Sequence, residues 1–533
     1  MSLEQHITLL APEVLLLLGA CATLLIGVTR AGSTGPWVSV VAFLVIAAAL
    51  GVSLNARLPD AHVAAFGLWL TPLTQYVRWI TLAVGLLLVL VNWHQPGDAE
   101  RGEYVGMMLF SLLGVLLTAS ANDWVVLFLA IELVSVPTYV LIALSRLDGR
   151  ASEAAVKYFF LGAMAAALLA YGVSFLYGVT GTTSIHLVAD ASVRAPLAEG
   201  GPVGGLALVG LLLVISGLAF KIAAVPLHVY APDVYEGAAS PVTGLLGFVP
   251  KLAGFVALIK VLWACDWQLP LSLQWVLWLV AAATMTYGNV LALLQRNVKR
   301  MLAYSSIAHS GYMLVALLAG PISGTGPLGD GVAALLFYIA VYGVMNLGAF
   351  AVLGAFQLRG QEIETLDDLG GLSQRAPVAV LGLAICVFSL MGLPPTAGFV
   401  GKLYVFGSAF SLDAAHPFRG PMIALAIIGV LNSAVGAAYY LRLVGAAYGT
   451  KVASEAEPAG GAPIRWGVAL CSAAMLVVFA WPAGLTTQAR SATTLVQQTN
   501  AQPEKRVTSA PTAAERRDGL STRATSRVPA IHD

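Results

Sequence analysis

Apolar residues run along this chain in long unbroken blocks instead of alternating with polar ones. Alternation would mark the strands of a barrel, whereas a helix crossing lipid needs about 20 consecutive apolar residues. Lipid offers the backbone no hydrogen-bond partner, so blocks of this kind read as transmembrane helices. The pattern predicts fourteen crossings, at about 9–29, 37–56, 72–92, 104–121, 124–145, 155–178, 204–226, 241–263, 272–294, 302–320, 331–356, 376–411, 420–448 and 464–482. The predicted fold is an all-α polytopic membrane protein. The first block carries Glu13, lacks a basic start and shows no cleavage site, so it reads as a retained helix and not a signal peptide.

Two blocks are predicted to be interrupted. The one at 204–226 ends on Pro226 with Lys221 just before it, and polar sequence continues from His228 to Ser240. The block at 376–411 is too long for one crossing and holds Leu393-Pro394-Pro395 in its middle. Proline removes a backbone donor and clashes with the preceding turn. A broken helix at membrane depth needs protein or a water-lined cavity to satisfy the freed carbonyls. Each break alone could be a packing kink. Two breaks, each near a lysine and in corresponding places of the two halves, point to a functional site.

Composition narrows the chemistry. Of 533 residues 58% are hydrophobic and 10% charged, against about 25% charged in a soluble domain. A net charge of +1 argues against a nucleic-acid surface. Cys21, Cys265, Cys386 and Cys471 are widely spaced, which excludes an iron–sulfur or zinc site built from this chain alone. No phosphate-binding or dinucleotide-binding glycine motif is present. Lys and Arg concentrate in the odd-numbered loops, for example Arg146, Arg150, Arg296, Lys299 and Arg300, so these are expected on the cytoplasmic side with both termini outside. The polar stretch from 488 to 533 is expected to be disordered.

Five lysines fall inside the predicted spans: Lys157, Lys221, Lys251, Lys260 and Lys402. Lys260, beside Trp263 near the outer end, is expected to snorkel. Among acidic residues only Glu132 lies well inside a span, with Asp233 and Glu236 in the polar stretch after the first break. A charge in the bilayer costs at least ~2.5–3.5 kcal/mol. Burial disfavours an ammonium and a neighbouring carboxylate favours it. One carboxylate cannot serve four amines, so some are expected at the balance between charged and neutral forms, where they can take up and give a proton. The competing reading pairs Glu132 with one lysine and lets water solvate the rest. His228 and His309 extend the series as relay or packing residues, with no partner at a metal-ligand spacing.

These residues also carry a family resemblance. The segment Gly217-Leu-Ala-Phe-Lys221-Ile-Ala-Ala-Val-Pro226-Leu-His228 resembles the antiporter-like membrane subunits of proton-pumping NADH:quinone oxidoreductase (respiratory complex I), most closely the subunit N type. So do Pro250-Lys251-Leu-Ala-Gly-Phe, Arg300-Met-Leu-Ala-Tyr-Ser-Ser-Ile-Ala-His309 and Gly392-Leu-Pro394-Pro395-Thr-Ala-Gly-Phe-Val-Gly-Lys402. The resemblance spans about residues 10–480. It implies two inverted five-helix repeats with two broken helices: N-terminal helices over 1–121, repeat regions at 122–263 and 264–448, and a last helix within 449–487. It further implies a central polar axis in which Glu132 partners Lys221, Lys251 is the central lysine, Lys402 the terminal one, and Lys157, His228 and His309 contribute. A bacterial inner-membrane location follows from the same likeness, as do partners among the other membrane subunits, the bilayer, protons and water. This chain would hold no cofactor, while FMN, iron–sulfur clusters, NADH and quinone act elsewhere in the complex. A rival reading is an Mrp-like cation/proton antiporter subunit, for which one buried carboxylate makes a poor sodium site.

Overall fold

The computed structural model describes residues 9–28, 35–56, 63–65, 67–95, 100–146, 148–185, 202–321, 329–358, 360–449 and 456–493. The helices are α1 (Ala11–Val28), α2 (Gly35–Asn55), α3 (Pro72–Val91), α4 (Arg101–Ser120), α5 (Trp124–Ser145), α6 (Gly149–Thr180) and α7 (Pro202–Lys221). They continue as α8 (Ala231–Gly237), α9 (Ser240–Ala264), α10 (Leu271–Leu293), α11 (Val298–Ala319), α12 (Gly331–Gly354) and the one-turn α13 (Leu372–Arg375). The last are α14 (Pro377–Met391), α15 (Ala397–Ser408), α16 (Arg419–Tyr448), α17 (Gly461–Ala480) and α18 (Ala483–Ser491). Among the described residues thirteen helices are long and apolar enough to cross a membrane. The remaining expected crossing, at 376–411, is split between α14 and α15.

Polar caps end the apolar blocks where the chain meets water. Asp123 accepts from the Val125 amide at 2.8 Å at the start of α5, and Asp148 from the Ala151 amide at 2.9 Å at the start of α6. Asn297 and Asp330 cap α11 and α12 in the same way. The α6 cap explains a difference from the sequence reading, which placed that helix at 155–178. Capped at Asp148, α6 runs for 32 residues and projects beyond the bilayer core.

The connections sort to opposite ends. At one end the hairpin of β1 (Val63–Ala65) and β2 (Leu68–Leu70) bridges Ala121, while the Ile185 amide reaches the Asn122 carbonyl at 2.9 Å. Asp330 sits in the same set of even-numbered loops and accepts from the Thr493 hydroxyl at 2.7 Å. The odd-numbered loops hold a three-stranded sheet in the order β4 (Gln361–Glu362), β3 (Phe356–Leu358), β5 (Glu457–Pro458), and Asn297 bridges Thr365 beside it. Alternating ends are what one crossing per block requires.

The first residues expected in the polar tail are structured. Ala489 and Thr493, which the sequence assigned to it, are buried, because the apolar face of α18 packs on α12. Residues 494–533, Arg30, Arg57, Arg194, Arg359 and Lys451 lie outside the described residues. At the centre of the bundle every residue of α9 is buried, and α11 and α12 flank it almost as completely. A helix that is apolar all round is enclosed on all sides, and Lys251, midway along α9, is buried with it.

Candidate functional site

Both predicted breaks occur, and their freed backbone groups are met by side chains. Helix α7 stops at Lys221, and Ala223 takes the left-handed conformation at φ 55°. At this end the Ile222 carbonyl accepts from the Ser310 hydroxyl at 2.6 Å, and the Phe220 carbonyl from the Tyr230 hydroxyl at 2.9 Å. The Val225 amide donates to the Thr284 hydroxyl at 3.0 Å. The second break opens at Gly392, whose φ of +83° suits glycine. There the Met391 carbonyl accepts from the Lys402 ammonium at 2.8 Å. The two half-helices touch through backbone: a methyl group on Gly398 would lie 1.9 Å from the Ser389 carbonyl oxygen.

Lys221, at the end of α7, meets Glu132 of α5. Its Nζ lies 3.0 Å from Glu132 Oε1 and donates to the Ser135 hydroxyl at 2.7 Å. The lysine side chain is 3% exposed and the glutamate 21%, so the carboxylate lies between the amine and the outside of the bundle. Ser135 is one turn beyond Glu132, on the same face of α5.

Lys251 has no carboxylate. It donates to the Ser306 carbonyl and to the Ser310 hydroxyl, the latter at 2.7 Å. Ser310 therefore links the central amine to the freed carbonyl next to Lys221. The Ser306 side chain gathers two tyrosines beside this contact, its hydroxyl accepting from Tyr342 at 2.8 Å and meeting Tyr235 at 3.2 Å. His309 has a tyrosine hydroxyl at each ring nitrogen, Tyr338 at 2.7 Å from Nδ1 and Tyr440 at 2.9 Å from Nε2. Lys402, on α15, donates to Ser433 at 2.6 Å and stands 5.0 Å over the Tyr312 ring, which lies 5.4 Å from His309. Aromatic contacts, and not hydrogen bonds, span this last interval. Buried in sequence from α5 to α15, these groups form one polar row.

Lys157 does not belong to it. Its side chain is 45% exposed and pairs with Glu153 at 2.8 Å and Asp233 at 3.1 Å. The sequence placed it unpaired inside lipid because it did not anticipate the extension of α6. Asp233 also binds Arg300 at 2.7 Å, which bridges to Glu236 at 2.7 Å. His228 also stands apart, with its ring centroid 6.5 Å from that of Tyr287.

Other intramembrane charges correct the sequence reading. Glu132 is not the only acid buried within a span, because Glu13 of α1 forms a two-bonded pair with Arg78 of α3 at 2.8 Å, both nearly inaccessible. Lys260 does not snorkel: it is 7% exposed and donates to the Ala121 carbonyl at 2.7 Å. Lys299, counted with the loops, is fully buried and lies 3.4 Å from Glu362. Glu362 also takes Arg146 at 2.7 Å and the Ser240 amide at 3.0 Å. Burial alone would raise its carboxyl, but Lys299, Arg146 and Ser240 outweigh burial and hold it below the ordinary carboxylate range. Sequence reasoning missed Ser135, Ser306, Ser310, Ser433 and the tyrosines. The one available signal was Ser306, His309 and Ser310 recurring at helical spacing on one face of α11.

Among the described residues no three His, Cys, Asp or Glu side chains are gathered to hold a metal ion. Residues 121–427 match the family described as NADH:quinone oxidoreductase/Mrp antiporter, TM. NADH-quinone oxidoreductase subunit N of Rhodospirillum rubrum is 36% identical over 88% of this chain and 93% of its own length. The Trichlorobacter lovleyi protein of the same name is 41% identical over 68% of this chain and 71% of its own. A chain of respiratory complex I from Thermus thermophilus is 30% identical, covers 89% of this chain and 98% of its own, and superposes with a TM-score of 0.72. A chain of the Mrp complex from Dietzia shares the fold, with 20% identity, coverage of 91% and 99%, and a TM-score of 0.75. With a family match over residues 121–427 and relatives aligned over most of their length, this chain belongs to the subunit N type of the NADH:quinone oxidoreductase/Mrp antiporter family of multi-pass membrane proteins.

Proposed function

We propose that this chain translocates protons outward as a membrane subunit of a bacterial NADH:quinone oxidoreductase, with electron transfer occurring elsewhere in the complex. Glu132, Lys221, Lys251, His309 and Lys402 are the groups that carry the proton. The observation behind this reading is the imbalance along the row: three enclosed amines share one carboxylate, 3.0 Å from the first. An ammonium without a counter-ion in such surroundings is costly, and losing the proton removes that cost.

In the resting state Glu132 and Ser135 hold Lys221 as the ammonium. When charge at a neighbouring subunit draws Glu132 away, Lys221 gives up its proton towards Lys251. Ser310 lies between them, its hydroxyl accepting from Lys251 and donating to the Ile222 carbonyl; to serve the transfer, water carries the Lys221 proton to the hydroxyl, which turns to donate to the neutral Lys251 amine. From there the Tyr342 ring, 5.1 Å from that of His309, leads to the imidazole, whose two occupied nitrogens let it accept at one and donate at the other. Lys402, held by Met391 and Ser433 at the second break, is the last station before the outer side. Water completes the intervals at Tyr342 and at Tyr312, where rings alone make contact.

Cation antiport is the weaker reading, because the row offers a sodium ion a single carboxylate. Lys221→Ala, Lys251→Ala and Lys402→Ala each test the relay in the assembled complex, by NADH-driven acidification of proteoliposomes. All three are expected to lower protons moved per NADH oxidised. Unchanged proton yield in all three would overturn the relay.

A further inference from the structure

A second feature lies on the other side of the first break. An apolar cleft runs between α7, α9, α10 and α11, with Leu258, Leu277 and Leu314 on its walls and Ala224, Val225 and Pro226 at its inner end. Ser216 is the one side chain with a polar atom among the residues lining it. The cleft opens sideways, where Val276 is 45% exposed and Pro226 is also exposed. At its outer end it shares Leu262 and Leu317 with a more polar recess lined by Asp266, Gln274 and His416.

A built turn forms that mouth. Asp266 and Trp267 both take the left-handed conformation, at φ 53° and 51°, directly after α9. The turn brings the Trp267 indole N–H to the Leu317 carbonyl at 3.2 Å. Tryptophan with its ring in the apolar layer and its N–H satisfied is the residue of the membrane–water boundary. From Gln274 at the mouth to Thr284, whose hydroxyl accepts from the Val225 amide of the broken segment, α10 rises about 15 Å. The combined path is therefore about as deep as one leaflet of a ~30 Å hydrocarbon core.

We propose that this cleft seats an acyl chain of an outer-leaflet phospholipid, with the headgroup at the polar recess and the chain end against Ala224–Pro226. Three features select a lipid tail over a column of water. The walls are apolar, and cavities of that kind stay dry and take apolar guests. The side opening lies on the flank of the bundle, where Val276 and Pro226 are exposed, and the depth matches a single chain. The seat has a consequence for the break. One side of the 222–226 segment is tied by Ser310 and Thr284, and the tail packs against the other side. The lipid acts as a packing element that keeps water from the outer side away from the turn after Lys221. This assignment does not depend on the proton relay.

The test is cryo-electron microscopy of the intact respiratory complex in nanodiscs of phosphatidylethanolamine brominated at mid-chain. The expected result is rod-shaped density from the Trp267 turn to Pro226, with bromine scattering among Leu258, Leu277 and Leu314. Val276→Trp, placed at the side opening, is expected to remove that density while the rest of the complex remains superposable. Separate rounded water peaks, a helix of a neighbouring subunit, or an empty cleft in the unaltered complex would each overturn the proposal. The unaltered map decides even if the variant does not assemble.

Discussion

Replacing Glu132 by glutamine removes a charge and keeps the shape and an acceptor oxygen for Lys221. At 3.0 Å and an effective dielectric constant of 20, the attraction of the pair is on the order of 5 kcal/mol. Water at the partly exposed carboxylate reduces this, yet even half of it changes the proton equilibrium of Lys221 more than tenfold. In Glu132→Gln the amine keeps only uncharged acceptors, the amide oxygen and the Ser135 hydroxyl, so it is no longer loaded between cycles. Glu132→Asp keeps the charge but withdraws it by about one methylene, and at about 4.5 Å the same arithmetic leaves roughly two thirds of the attraction. The assay is NADH-driven acidification of proteoliposomes, divided by NADH oxidised and by the amount of assembled complex on a native gel. Proton yield should rank parent, then Glu132→Asp, then Glu132→Gln. A Glu132→Gln complex with parental proton yield per NADH would refute the reasoning.

Three further outcomes follow from the same geometry. Glu13→Gln strands the Arg78 guanidinium in the bundle and should destabilise the N-terminal helices by about 3–5 kcal/mol, read as a lowered melting temperature of the purified complex. Ser310→Ala removes the hydroxyl between Lys251 and the Ile222 carbonyl; leaving the carbonyl unsatisfied costs about 1–3 kcal/mol, and proton yield should fall without loss of quinone reduction. Glu362 has a folded pKa below its unfolded value, so its contribution is full above the unfolded value near 4.3 and is lost as pH falls through the folded one. Thermal melts between about pH 3 and 6 should therefore show a shallower acid-side decline in Glu362→Gln than in the parent, from a lower plateau.

The breaks were legible because two strong local signals coincide, a proline inside an apolar block and a lysine within a turn or two of it. Helix number was legible for a similar reason, since bilayer thickness imposes a length on every crossing. Contacts between helices were not. Glu132 and Lys221 are 89 positions apart, and only the resemblance paired them. Glu13 and Arg78 each lie near a helix end, where charge is ordinary, and nothing local says that they face one another. Lys157 was misplaced because hydropathy marks where apolar sequence stops and not where the helix stops; Asp148 and the Glu153–Lys157 pair carry α6 on into water. Serine and tyrosine hydroxyls were passed over because their direction is set by packing, as with Ser306 and Ser310 turned towards Lys251 by the enclosure of α9.

The central claim is that a buried amine in this row changes its charge. It is tested most directly by nitrogen-15 lysine magnetic resonance on the complex in lipid, with assignments from single lysine-to-arginine variants, at rest and during NADH turnover. The account predicts that at least one of Lys221, Lys251 and Lys402 is present as the neutral amine in one of these states and as the ammonium in the other. Three ammonium signals that persist unchanged through turnover would contradict it.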